Sequence, residues 1–228
     1  VKIWHVSDTH TLHDRLTLPE GVDVVVHSGD ASNRRDPLLN EAELRKFLWW
    51  FAALPVKHKL FVPGNHDTSL ESRLVRPKEI EGLGITLLVD DGVTIDGVNF
   101  WGSPWVPRYG DWSWMVKRET IGRKWEHIPG NTDVLITHGP PFGALDSTYS
   151  RSNSYELVGC RALQKWVARN EPSYHLFGHV HSTKDIRNAG TRTIGGLRTV
   201  FSNGSVCDDG VMNDTTSRGN ILEVASRR

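Results

Sequence analysis

SYHLFGHVHS, residues 173–182, runs from an apolar stretch through Gly178 to His179 and His181. The apolar half reads as a buried strand ending in a loop. Residues i and i+2 of an extended segment point to the same side, so the two imidazoles aim together. Near the start of the chain, KIWHVSDTH sets Asp8 and His10 at the same spacing. The fold turns on whether these two pairs face one place.

Working outward, the same grammar recurs: an apolar run, then a short polar turn. It appears as SDTH (Asp8, His10), SGD (Asp30), GNHD (Asn65, His66, Asp67), THG (His138) and GHVH (His179, His181). In open α/β sheets, ligands bind beyond the carboxyl ends of the strands. Adjacent ends would gather these groups into one cluster, and neighbouring glycines would allow tight turns and close backbone approach. The set Asp8, His10, Asp30, Asn65, His138, His179 and His181 offers imidazoles, carboxylates and one amide, without a thiolate. Such a set suits Mn²⁺ first, with Fe, Zn²⁺, Co²⁺ or Ni²⁺ also compatible. It is too large for one tetrahedral ion and suits two divalent ions sharing a carboxylate. Any one fragment alone is more often a hydrogen-bonded core residue; five in order at strand ends are not.

Between these turns, helical and hairpin patterns alternate. DPLLNEAELRKFLWWFAALP has Asp36 as N-cap, Pro37 at the first helical position and Pro55 as the stop. Leu44, Phe47, Leu48 and Phe51 fall at i, i+3, i+4 and i+7, one buried face. GCRALQKWVARNEP predicts a second helix with Leu163, Trp166 and Val167 inward. From about residue 84 to 103, two Asp-Gly steps between short β runs predict antiparallel hairpins. RTVFSNGS predicts a further strand. No linker, repeat or low-complexity run divides residues 1–228, which are expected to form one α/β domain.

The balance of 27 basic and 27 acidic residues gives no global reason to expect nucleic acid or an anionic membrane as partner. No run approaches the roughly 20 apolar residues of a membrane helix. The opening residues carry no charged leader pattern, and the expectation is a soluble, cytoplasmic protein. Cys160 and Cys207 stand alone and are expected reduced and buried. Some of the nine tryptophans must lie near the surface and offer a dimer face; the oligomeric state stays open.

In this order, D-x-H, G-D, G-N-H-D, H-G and G-H-x-H resemble the calcineurin-like metallophosphoesterase superfamily. The fuller strings HSGD, PGNHD, FWGSPW, LITHGPP and LFGHVH, with the tail VFSNGSVCDDG, resemble its metallophosphoesterase-domain-containing members, including the brain-expressed vertebrate ones. The resemblance implies a four-layer αββα sandwich of two mixed sheets flanked by helices. It implies one ion held by Asp8, His10, Asp30 and His181, and a second by Asp30, Asn65, His138 and His179, with Asp30 bridging. It further implies a phosphodiesterase acting on small diesters such as cyclic nucleotides, through attack of a metal-bridging hydroxide. His66 would serve the leaving group, and Asp67 would orient His66 and favour its imidazolium.

Outside the motifs, Arg108 in the Trp-rich loop 103–114, Arg151 and His13 are candidate substrate contacts, each weighed against an ordinary packed or solvated residue. His27 is either a partner that orients ligands or a packed core imidazole. The basic segment 184–198 reads as a solvated hairpin or the rim of a nucleic-acid groove. The competing functions are a nuclease or nucleic-acid end-processing phosphatase, and a non-catalytic scaffold.

Overall fold

The computed structural model describes residues 1–150, 152–208 and 215–225. Its strands are β1 (Lys2–Val6), β2 (Val24–His27), β3 (His58–Phe61), β4 (Thr86–Leu87), β5 (Asp91–Ile95), β6 (Val98–Ser103), β7 (Val106–Pro107), β8 (Met115–Val116), β9 (Val134–Thr137), β10 (Ser147–Tyr149), β11 (Tyr155–Leu157), β12 (Tyr174–Phe177), β13 (Gly190–Thr193), β14 (Val200–Asn203) and β15 (Asn220–Glu223). The α-helices are α1 (Pro37–Ala53), α2 (Thr68–Glu71), α3 (Pro77–Gly82), α4 (Gly122–Trp125) and α5 (Arg161–Asn170).

One sheet runs β15-β1-β2-β3-β4, parallel except for its edge strand β15. The other runs β13-β14-β12-β9-β6-β5, parallel inside and antiparallel at both edges. The period of two along each strand then builds the layers. Ile3, Val24, Val26 and Leu60 of the first sheet face Val134, Ile136 and Leu176 of the second in a shared core. The alternate residues Trp4, Val25 and Phe61 turn outward onto α1. Leu135, Phe177 and Phe201 turn outward onto α4 and α5. The result is helix, sheet, sheet, helix, the four-layer sandwich the resemblance implies.

Helix α1 begins where Asp36 accepts hydrogen bonds from the Leu38 and Leu39 amides. Leu44, Phe47, Leu48 and Phe51 are its buried stripe. Burying each such side chain contributes about 1.5–3 kcal/mol, so this stripe fixes the helix on the first sheet. In α5, Cys160 caps with its sulfur and Leu163 and Val167 are buried, while Trp166 is only half-buried. Both cysteines are free and buried.

The hairpin expectation holds once rather than twice. Asp96 and Gly97, with φ of 47° and 78°, turn β5 into β6. Asp91-Gly92 instead lies inside β5, where a Cβ on Gly92 would stand 2.9 Å from the Phe100 carbonyl oxygen and 3.1 Å from the Trp101 ring. Gly92 therefore serves close packing on the neighbouring strand, and the chain passes between sheets from β4 to β5.

Candidate metal centre

Asp8 and His10 follow β1, Asp30 follows β2, Asn65 and His66 follow β3, His138 follows β9, and His179 and His181 follow β12. In the first sheet β1, β2 and β3 are side by side, and in the second β9 and β12 are neighbours. All five ends open on the same edge of the sandwich, so the two pairs of the opening question do meet. His181 Nε2 lies 3.1 Å from Asp8 Oδ1 and 3.4 Å from His10 Nε2. His138 Nε2 lies 3.3 Å from Asp30 Oδ1 and 3.0 Å from Asn65 Oδ1.

Two sets emerge. One ligand atom from each of Asp8, His10 and His181 falls within 4.8 Å of the others, and so does one from each of Asp30, His138 and His179. Asp30 also falls within that reach of His10 and His66, which puts it between the sets.

Local backbone conformation makes this convergence possible. Asp8, His10, Asp30 and His179 have φ of 52°, 41°, 55° and 69°, the left-handed region that L-residues avoid. Four candidate ligands thus sit in strained turns, a pattern that concentrates at functional sites. Gly64 and Gly178 allow the loops to interleave. A Cβ on Gly64 would collide with the backbone nitrogen and carboxylate of Asp30, and one on Gly178 with the Asp8 carboxylate and Ser7.

The electrostatics ask for a cation. Burial alone would raise Asp8, but its hydrogen bond with His181 and the nearby imidazoles hold it well below the usual carboxylate range. Asp30 is buried too, and His138 and His66 hold it low. Burial opposes a charge on His138, yet Asp30 and Asp8 lift it to about 9. Burial keeps His10 neutral down to about 4 and His179 down to about 3. The His138 Nδ1–H donates to the Ser28 carbonyl at 2.9 Å, which leaves Nε2 as the inward nitrogen. His10 Nδ1 and Asn65 Nδ2 are buried without hydrogen-bond partners. Ionised carboxylates, the neutral imidazoles of His10 and His179 and orphaned polar atoms in one place fit divalent cations.

Asp67 does something other than orient His66. Its carboxylate accepts from the amides of Gly64 (2.8 Å), Asp30 (3.0 Å), Ala31 (3.1 Å) and Ser32 (3.1 Å), and from the Ser32 hydroxyl (2.7 Å). It clamps the Asp30 loop to the Gly64 turn. His66 is oriented elsewhere: its Nδ1 lies 3.1 Å from the Asn33 carbonyl oxygen, its ring packs on Trp112, and its Nε2 is 4.0 Å from Asp30 Oδ2.

A cleft of about 670 Å³ opens over this centre. Pro107 and Tyr109 line it, so Arg108 between them points away, exposed to solvent, and is not a cleft residue. The arginine that lines the cleft is Arg118, whose Nη2 donates to the Val158 carbonyl at 3.1 Å. His13 is not a rim residue either. It is 1% exposed, in a short 3-10 turn, with its ring 5.6 Å from Phe47 and 5.2 Å from Trp50. Arg151 lies outside the described residues.

His27 packs on Phe47 and Phe61 and also joins two ligand loops. It accepts from the Gly29 amide at Nδ1 and meets the Thr9 hydroxyl at Nε2, 3.1 Å away. In the basic segment, Lys184 and Arg187 line a separate hollow, and Arg198 pairs with Glu171. Neither reaches the cleft.

Other supporting residues were hidden in the sequence. Ser205 donates to Asp8 Oδ2 at 2.9 Å, and Asn203 holds the Val180 carbonyl. Asn203 ends β14 and Ser205 follows it in SNGS, a strand-then-polar-turn of the same grammar that lacks obvious ligands. Tyr109 packs against His179, and burial raises its phenol.

A family model described as calcineurin-like phosphoesterase matches residues 1–183. A UPF0046 protein of Caenorhabditis elegans is 37% identical over 223 residues, 92% of this chain and 71% of its own length. Metallophosphoesterase domain-containing protein 1 of Homo sapiens is 32% identical over 226 residues, 89% of this chain and 65% of its own length. Both relatives are longer than this chain. Among solved structures, a phosphopantetheinyl hydrolase of Mycobacterium tuberculosis superposes with a TM-score of 0.55 at 16% identity, over 91% of this chain and 89% of its own. A Thermus thermophilus protein superposes with 0.61 at 11% identity, over 89% and 88%. At these identities the likeness to the solved structures is one of fold.

Proposed function

We propose a function from this premise: the chain belongs to the calcineurin-like phosphoesterase family of metal-dependent hydrolases, and it acts on small phosphodiesters, cyclic nucleotides among them. One observation carries the substrate class. Among the described residues lining the cleft, Arg118 is the only arginine or lysine, and Leu157, Val158, Pro107 and Pro140 make apolar wall beside it. A cleft of about 670 Å³ is nucleotide-sized, and a long polyanion would ask for a basic track.

Asp8, His10, Asp30 and His181 would hold one ion, and Asp30, Asn65, His138 and His179 the other, with Mn²⁺ the favoured metal. When bound, the ions would neutralise the phosphoryl oxygens and supply a hydrolytic nucleophile from water. Asp30 lies between the two sets and fixes their spacing. Asp8 is held by Ser205 and by the His179 amide, so its carboxylate presents one orientation. His66 Nε2 faces the cleft. With both ring nitrogens protonated, Nε2 passes its proton to the departing oxygen as the P–O bond to the leaving group breaks, and the neutral ring keeps its Nδ1–H on the Asn33 carbonyl. Arg118 would meet the substrate at the far wall. A reducing, cytoplasmic setting fits two buried free thiols. No helix among the described residues is long and apolar enough to cross a membrane.

The test is to strip the protein of metal, restore Mn²⁺, and compare turnover of bis-p-nitrophenyl phosphate with p-nitrophenyl phosphate. Metal-dependent preference for the diester, abolished in Asp30→Ala, is expected, and with the phenyl diester in place of the nitrophenyl one His66→Ala should lower turnover about 10²–10⁴-fold. A preference for the monoester would overturn the diester reading. Folded protein that turns over neither substrate with any divalent metal would overturn hydrolysis itself.

A further inference from the structure

The loop that follows Asp30 reaches His66 twice. Directly, the Asn33 carbonyl oxygen lies 3.1 Å from His66 Nδ1. Indirectly, Arg35 bonds through Nη2 to both the carboxylate and the carbonyl oxygen of Asp111, and its guanidinium lies 5.3 Å from the Trp112 ring centroid. Trp112 in turn lies on His66, with ring centroids 4.1 Å apart and planes 32° from parallel. On another side, the edge of the His66 ring meets His10 at 4.9 Å. The Asn33–Arg35 loop is itself tied to α1, because Glu43 accepts from the Asn33 and Arg34 amides at 2.8 Å each.

A histidine at a cleft mouth, with its side chain 18% exposed, would otherwise be free to turn about its χ angles. An exposed ion pair such as Arg35–Asp111 adds little to global stability. Here its ends sit on the two loops that grip one imidazole. Fixing Nδ1 on a carbonyl and one face on an indole leaves Nε2 a single direction, toward Asp30 and the cleft.

We propose that Trp112 is a positioning residue for His66, with the Arg35–Asp111 pair holding Trp112 against it. This rests on the reading of His66 as proton donor to the departing oxygen. Misplacing a reacting group by about 1 Å costs on the order of 10²-fold. The loss should therefore grow as the leaving group becomes more basic and needs the proton more.

The experiment uses metal-loaded full chain and a series of methyl aryl phosphodiesters, with leaving groups from p-nitrophenol to phenol. Trp112→Leu should leave kcat for the nitrophenyl ester within about twofold and lower it for the phenyl ester about 10- to 100-fold. Trp112→Phe, which keeps a flat ring, should recover most of the loss. Arg35→Gln, a surface change, should steepen the dependence in the same direction but less. His66→Ala should steepen it most, and His66→Ala/Trp112→Leu should be no worse than His66→Ala alone. In metal-free protein, the ring-current shift of the His66 Cε1 proton should disappear in Trp112→Leu and persist in Trp112→Phe. If His66→Ala steepens the dependence and Trp112→Leu does not, the positioning role is overturned and His66 keeps its own. If His66→Ala does not steepen it, the donor reading fails and the proposal fails with it.

Discussion

Acidification is a direct probe of the buried imidazoles outside the ligand set. His5 is fully buried between the sheets, with Nδ1 2.8 Å from the Ser202 hydroxyl and Nε2 2.9 Å from that of Ser28. Burial lowers its pKa to about 3, against the opposing pull of Asp8. In the unfolded chain it titrates near ~6.5. The unfolded state thus binds a proton that the folded state refuses. Stability is complete above about pH 6.5 and is lost as pH falls toward about 3, at about 1.4 kcal/mol per pH unit. Between pH 7.5 and 5 this one residue removes about 2 kcal/mol. Burial lowers His27 and His175 to about 3 and His13 to about 4, so the same sign applies to each. Together they make acidification more destabilising than His5 alone does, against a whole-domain stability of roughly 5–15 kcal/mol. Metal-free protein should therefore lose stability as pH falls from about 7.5 to about 5. Urea titrations at half-unit pH steps measure this, and His5→Gln should make the decline shallower by about 2 kcal/mol over the range. Parallel declines in wild type and His5→Gln would refute the reasoning.

Asp67→Asn should destabilise the fold by about 3 kcal/mol, seen as a lower urea midpoint, because an amide cannot accept what the carboxylate accepts. Gly64→Ala should lose bound metal by elemental analysis, since its Cβ would strike both the backbone nitrogen and the carboxylate of Asp30. Arg118→Ala should raise KM for bis-p-nitrophenyl phosphate by about 10-fold, the cost of roughly one charged hydrogen bond, while Arg108→Ala leaves it within about twofold.

What the sequence disclosed, it disclosed through residue type and period. The candidate ligands stood at the ends of apolar runs, and parallel strands bring such ends together, so spacing alone gathered Asp8, Asp30, His138 and His181. Asp36, Pro37 and Pro55 bounded α1 because caps are local chemistry. What it hid depended on direction. Asp67 adjoins His66 in the chain, yet its carboxylate turns to the Asp30 loop. Arg108 and Tyr109 are neighbours just past the two-residue strand β7, and nothing in so short a strand announces which of them faces the cleft. His13 resembled its neighbour His10 until a 3-10 turn carried it beneath Phe47 and Trp50. Arg118 and Ser205 reach the site from elements that carry no ligand of their own.

The left-handed turns at Asp8, His10, Asp30 and His179 carry a consequence for the life of the chain. Each disfavours its own backbone by about 1–2 kcal/mol, and without cations the buried imidazoles His10 and His179 face the cluster with no ion to bind. Bound metal is then a folding ligand, stabilising the native form by about 2.7 kcal/mol at a hundred times its dissociation constant. A metal-starved chain opens at these loops more often, and the opened chain is the one a protease cuts. Metal supply thereby sets how long each molecule lasts as well as how fast it works.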